Sequence, residues 1–375
     1  MIDEAVFSET LLEFLGPVRR FLNDPSVSEI MINGPSQVYI ERKGRIELTS
    51  VKFESDEAVM CALRNAAQFV GKHIDEEHPI LEARLPDGSR VQAVVPPVAP
   101  DGPQVSIRRF FKDTLTIEHL VSIGSMTRDA ADALSAIVAG KLNMLIAGGT
   151  GSGKTSLLNL LTRYVPAGER MLVIEDSREV EVQSKHVVYL EARAADVHGR
   201  FAVGIRDLFR AALRMRPDRI VIGEIRGGEA LDIVQAMVSG HGGCMGTLHA
   251  TYPRDTLTRL ETMAMMSDVE IPLVALRLQI ASGANVIVQV ARLQDGSRKV
   301  THITEVLGFD LESNKYLLQD VFVRQYSPPD AEGNVQSELV PSGVIPRFAP
   351  QLREHGFDLP KAVYEAAERR GARLS

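Results

Sequence analysis

The chain has 375 residues, 45% hydrophobic and 24% charged, at a net charge of -7, the balance of an ordinary globular protein with room for about two or three domains. Acidity, no tryptophan and 5% aromatics argue against the basic, ring-studded surface of a typical nucleic-acid binder. Two distant cysteines, Cys61 and Cys244, exclude a disulfide framework or a four-cysteine zinc site.

No apolar run approaches the roughly 18–20 residues of a spanning helix. Residues 1–14 carry acids where a secretory leader carries lysine or arginine. A cytoplasmic protein that meets a membrane only through partners is expected.

Apolar positions at helical spacing (Leu11, Leu12, Leu15, Val18, Phe21, Leu22) predict an amphipathic helix over residues 9–22. The segments S-E-I-M-I-N-G-P, Q-V-Y-I-E-R-K-G-R-I-E-L and V-K-F read as strands broken by Asn-Gly-Pro and Lys-Gly turns. A helix is expected over 56–70, then strands on either side of Pro86-Asp87-Gly88 and over Q-V-S-I-R-R-F. Residues 1–110 therefore form a small α+β domain, and 111–128 a polar linker. Arg84 and Arg90 flank the Pro-Asp-Gly turn, and Arg108 and Arg109 close the last strand. Guanidinium groups suit bidentate contact with phosphate oxygens.

A helix over 129–141 leads to the most informative stretch. Met144 to Ala147 is an apolar strand, followed by G-G-T-G-S-G-K-T-S and an apolar-periodic helix. This is the G-x-x-x-x-G-K-[ST] phosphate loop in its strand–loop–helix context. Glycines let backbone N–H groups close around a β-phosphate, and the helix N-terminus adds its positive end. Gly148, Gly149, Thr150, Gly151, Ser152, Gly153, Lys154, Thr155 and Ser156 are the expected ATP contacts. Lys154 would reach the β- and γ-phosphates, and Thr155 would ligate Mg²⁺.

Beyond it, M-L-V-I-E-D and V-V-Y-L read as strands, 205–215 as a helix, D-R-I-V-I-G-E-I-R as a strand ending in Glu224, and 229–238 as a helix. G-H-G-G-C-M-G-T-L-H-A then ends in a strand carrying His249. Strands alternating with helices of about ten residues make a parallel, doubly wound sheet whose ligands sit at the strands' carboxyl ends. Hydrolysis needs a metal, a positioned water and compensation of charge on the γ-phosphoryl oxygens. Glu224 fits polarisation of the water or a water-bridged hold on Mg²⁺. Glu175 and Glu179 are both candidates for the general base, and spacing does not separate them. His249 could donate to the γ-phosphate, while His241 between glycines reads as a turn residue.

Together M-L-V-I-E-D-S-R-E, R-M-R-P-D-R-I-V-I-G-E-I-R, G-H-G-G-C-M-G-T-L-H-A-T, R-L-P-D-G-S-R and S-I-R-R-F resemble the type II/type IV secretion ATPase superfamily over about residues 27–325. R-L-E-T-M and D-G-S-R-K-V-T-H-I-T-E-V resemble its CpaF-type branch, which serves Flp (Tad) pilus assembly; conjugation and secretion traffic ATPases are the alternative. The resemblance implies a RecA-like P-loop domain (129–325) preceded by a smaller PAS-like α+β domain, in a hexameric ring motor using ATP and Mg²⁺. It further implies inner-membrane platform proteins as partners, no direct nucleic acid, and arginines of the first domain (Arg84, Arg90, Arg108, Arg109) completing the ATP site. Residues 326–375 read as a C-terminal appendage. A RecA-like nucleic-acid translocase and a non-hydrolysing nucleotide-gated scaffold are competing readings; acidity stands against the first, and Glu179, Glu224 and His249 against the second.

Overall fold

In the computed structural model, which describes residues 13–42, 44–85, 87–109, 115–193, 195, 199–328, 330 and 335–374, the chain divides into two compact units, Met1–Lys112 and Asp113–Ser375. Where it is described, the first unit begins with helical Glu13 and Phe14, then a 3-10 turn (Gly16–Val18) and a single helical turn, α1 (Arg19–Leu22). Pro17 starts the 3-10 turn, and a proline belongs in a first turn because it has no N–H to give. The single helix expected over 9–22 is thus broken where it is described; residues 9–12 lie outside the described residues.

Six antiparallel strands follow: β1 (Val27–Asn33), β2 (Gln37–Arg42), β3 (Arg45–Leu48), β4 (Ile80–Arg84), β5 (Arg90–Val94) and β6 (Gln104–Arg108), in the order β3-β2-β1-β6-β5-β4. Alternate residues (Ile30, Ile32, Val38, Ile40, Leu81, Ala83, Val91, Ala93, Val105, Ile107) meet the apolar face of α2 (Asp56–Phe69) in one core. Ser55 caps α2 by accepting from the Ala58 amide at 3.2 Å. V-K-F is not a strand. Phe53 N donates to Pro35 O (2.7 Å) and its ring is buried in the core, a plug rather than a paired residue.

The second unit holds α3 (Ile117–Ser122), α4 (Arg128–Ala139), β7 (Met144–Gly148), α5 (Lys154–Thr162), β8 (Met171–Glu175), β9 (Val187–Glu191), α6 (Ile205–Ala212), β10 (Arg219–Ile222), α7 (Glu229–Val238), β11 (Met245–Leu248), α8 (Pro253–Ala264) and α9 (Leu273–Gly283). The chain then continues through β12 (Val286–Arg292), β13 (Arg298–Asp310), β14 (Lys315–Ser327), β15 (Gln336–Pro341), α10 (Ala349–Glu354) and α11 (Lys361–Leu374). Its nine strands run β15-β14-β13-β12-β7-β11-β10-β8-β9. The six from β12 to β9 are parallel and the remaining three antiparallel, so the expected parallel sheet is the larger part of a mixed one.

β7 is central and wholly buried, and its period-two side chains feed both faces. Met144 and Ile146 pack into the layer of α4 and α5; Leu145 and Ala147 pack into that of α7, α8 and α9. Each of Met144, Leu145 and Ile146 contributes roughly 1.5–3 kcal/mol of burial.

Two expected boundaries move. Part of the 111–128 linker is helix α3, capped by Thr116, with Ile117 buried in the second unit's core. The expected break at 325/326 falls inside β14, and 336–374 complete the sheet and its helical layer: Leu352, Leu359 and Val363 pack into the core. Thr127 Oγ1, at the N-cap of α4, donates to Leu339 O (2.8 Å), tying the two ends of the unit together. Short apolar runs hidden in polar surroundings explain why the sequence undersells both segments.

Candidate active site

The phosphate loop leaves the central strand β7 and enters the N-terminus of α5. Gly151 (φ +69°) and Gly153 (φ +94°) take left-handed backbone, the form from which successive N–H groups build an anion nest. Gly148 has no room for a side chain: a Cβ there would stand 2.4 Å from Val290 O and 2.5 Å from Ser152 Oγ. Ser152 Oγ donates to Gly149 O (2.8 Å). Gly149 and Thr150 are exposed at the crest, while Thr155 and Ser156 are half-buried in the first turn of α5. Buried Lys154 donates to Gly148 O and Gly149 O, both at 3.1 Å, and its Nζ lies 3.4 Å from His249 Nδ1.

Because β7, β8, β10 and β11 are parallel, their carboxyl ends share one sheet edge. Pairing continues past Ile222: Gly223 N donates to Ile174 O (2.9 Å), Ile225 N to Thr247 O (2.8 Å), and Thr247 Oγ1 to Gly223 O (2.6 Å). These bonds fix the backbone around Glu224, two residues beyond the strand on which it was expected. His249 follows β11 directly. Its Nε2 lies 2.8 Å from Glu224 Oε1, and Arg226 donates to Glu224 Oε2 at 2.6 Å and to Asp176 Oδ2 at 3.0 Å. Burial pushes the Glu224 carboxyl up, but the Arg226 hydrogen bond and the charges of Arg226, His249 and Lys154 outweigh it and hold the pKa below the usual range. Burial, then Lys154, lowers the His249 pKa against the pull of Glu224. The neutral tautomer with Nε2–H toward Glu224 and Nδ1 toward the Lys154 ammonium satisfies both neighbours.

The two base candidates, inseparable by spacing, have different surroundings. Glu175 is buried and accepts from Glu179 N (3.0 Å) and Val180 N (3.0 and 3.3 Å). A Cβ on Gly223 would stand 2.7 Å from Glu175 Cγ, so this carboxylate is packed into the loop it staples. Glu179 is half-buried, and its charge raises the Arg226 pKa after Glu224 and Asp176. His241 is a half-buried residue of the loop before β11.

In the first unit, register places Arg84 opposite Arg90 and Arg90 opposite Arg108. Three guanidinium-bearing positions on adjacent strands thus share one face of the sheet, the face opposite buried Ala83, Val91 and Ile107. Like charges directly opposite repel, and Arg84 Nε donates to Gly88 O (3.3 Å). Arg109 stands apart: its guanidinium donates to the Asp24 and Val27 carbonyls, the latter at 3.2 Å, and burial lowers its pKa.

Sequence reasoning missed three arginines. Arg226 has just been described. Arg298 Nε donates to Gly151 O (2.9 Å), and its cross-strand partner Arg292 approaches the same glycine. Only the topology that lays the β12–β13 hairpin beside β7 joins Arg298 to a loop 147 residues earlier.

For Mg²⁺, the Thr155 hydroxyl and the ionised Glu224 are oxygen donors of the right hardness. An ion that keeps water and substrate phosphates as ligands needs no more from the protein.

Residues 12–325 match the family model described as Type II/IV secretion system protein. The chain belongs to that family. It is 35% identical over 336 residues to the type IV secretion system protein PtlH of Bordetella pertussis, covering 81% of this chain and 97% of that one. It is 30% identical over 294 residues to the conjugal transfer protein TrbB of Rhizobium radiobacter, covering 77% and 86%. Among solved structures it resembles the pilus retraction motor PilT with bound ADP, at a TM-score of 0.56 and 17% identity over 96% of this chain and 89% of that one. That likeness bears on the fold, which is the α/β fold of secretion ATPases. No helix among the described residues is long and apolar enough to cross a membrane.

Proposed function

We propose that this chain hydrolyses ATP to drive a type IV secretion or conjugal-transfer machine. The observation that carries the reading is the hydrogen-bonded line from Glu224 through His249 to Lys154, which joins a strand-end carboxylate to the phosphate loop. Lys154 gives up His249 for the β/γ-phosphates, and the α5 N-terminus and loop amides take the remaining charge. Glu224 polarises the attacking water, and His249, released from Lys154, turns to the γ-phosphate. Thr155 and Glu224 would hold Mg²⁺, which would supply neutralising charge at the phosphate oxygens. Glu179 takes the general-base role in preference to Glu175, whose oxygens are occupied by amides.

The named relatives PtlH and TrbB favour secretion or conjugation. Flp (Tad) pilus assembly is the second reading, supported by R-L-E-T-M and D-G-S-R-K-V-T-H-I-T-E-V. Under either, a hexameric ring on the cytoplasmic side docks onto inner-membrane platform proteins. Phosphate release from Mg-ATP tests the chemistry. Lys154→Ala is expected to abolish turnover and weaken ATP binding, whereas Glu224→Gln keeps binding and stops turnover. Near-wild-type release by the Lys154 variant would contradict the site.

A further inference from the structure

Arg226 is an exposed arginine with an unusual amount of restraint. Its own amide and that of Gly227 donate to Glu229 Oε1 at 2.7 and 2.8 Å, fixing the backbone at the N-terminus of α7. Its guanidinium joins two acids from different strand ends, Glu224 at 2.6 Å and Asp176 at 3.0 Å. The Arg226 and Asp176 side chains are 56% and 48% exposed, against 22% for Glu224. An exposed ion pair of this kind contributes little to stability, about 0–1 kcal/mol. What it does contribute is geometry. Oε1 meets His249 and Oε2 meets Arg226, and when His249 turns to the γ-phosphate the Arg226 bond is the hold on the Glu224 carboxylate that remains, with lone pairs left for water.

We propose that Arg226, anchored by Asp176, is the positioning residue that fixes the orientation in which Glu224 acts on the attacking water. The inference rests on the reading of Glu224 given above. A planar fork reaches both carboxylates at once, as a single ammonium does not, and preorganised groups contribute to turnover without contributing to ground-state binding.

The experiment is steady-state ATP hydrolysis and ATP-analogue binding on the full chain for Arg226→Ala, Arg226→Lys, Asp176→Asn, the Arg226→Ala/Asp176→Asn double variant and Glu224→Gln, with melting temperatures alongside. Arg226→Ala is expected to lower kcat at least about tenfold, ~1.4 kcal/mol, with KM, analogue affinity and melting temperature close to wild type. Arg226→Lys recovers part of the loss. Asp176→Asn causes a smaller loss, and the double variant is no worse than Arg226→Ala, as coupled residues require. Arg226→Ala turning over within about twofold of wild type while Glu224→Gln is inactive overturns the inference alone; so do losses that simply add in the double variant. Wild-type turnover by Glu224→Gln removes the reading of Glu224 and the inference with it.

Discussion

Lys154 divides its ammonium among two loop carbonyls and His249, and this residue-scale arrangement is what makes the loop responsive. A triphosphate reaching Lys154 would compete with these partners, so the proposed binding rearranges the line to Glu224. Arg298 braces the crest of the same loop through Gly151 O. A hydrogen bond from a charged donor is worth roughly 1.5–3 kcal/mol. Arg298→Ala is therefore expected to weaken ATP binding about tenfold, ~1.4 kcal/mol, as read by titration with a fluorescent analogue. Unchanged affinity would leave Arg298 outside the site.

At the scale of elements, the phosphate loop was legible in the sequence because its glycines and its lysine act locally, on neighbours a few residues away. Glu224 and His249 were legible as acids and bases at strand ends, though both fall just past the strands themselves, where Gly223 and Thr247 carry the pairing onward. What stayed hidden depends on long-range packing. The sequence does not say that β12–β13 lies beside β7, that Ile117 is core, or that residues 336–374 finish the sheet. Spacing also does not distinguish Glu175 from Glu179, since burial separates them: Glu175 is buried with loop amides on its carboxylate, and Glu179 is half-buried. Gly148 shows how tightly the elements meet, with Val290 of β12 against the loop's first residue. Gly148→Ala forces a Cβ into a carbonyl 2.4 Å away and is expected to cost about 1–3 kcal/mol by overpacking. A lowered melting temperature together with weakened nucleotide binding is the predicted outcome; a variant matching wild type in both would show that β12 yields.

For the whole molecule, the family resemblance raises the expectation that arginines of the first unit assist the proposed hydrolysis, and this is a matter for experiment. The second unit carries the phosphate loop and Glu224; in phosphoryl transfer generally, an arginine delivered to the γ-phosphate from outside the loop is worth roughly 10³–10⁵ in rate. The row Arg84–Arg90–Arg108 is suited to that task, being aligned on one sheet face. Arg109, turned toward the carbonyls of its own unit, is suited to stability instead. The most direct measurement is turnover and nucleotide affinity for the four single alanine variants, made on the assembled ring, whose mass by light scattering should be several times the 41.1 kDa chain. At least one of Arg84→Ala, Arg90→Ala and Arg108→Ala is expected to cut kcat by more than about tenfold, ~1.4 kcal/mol, with affinity little changed, poor rescue by lysine, and a mainly thermal effect for Arg109→Ala. Turnover within about twofold of wild type, ~0.4 kcal/mol, for all of Arg84→Ala, Arg90→Ala and Arg108→Ala would contradict it.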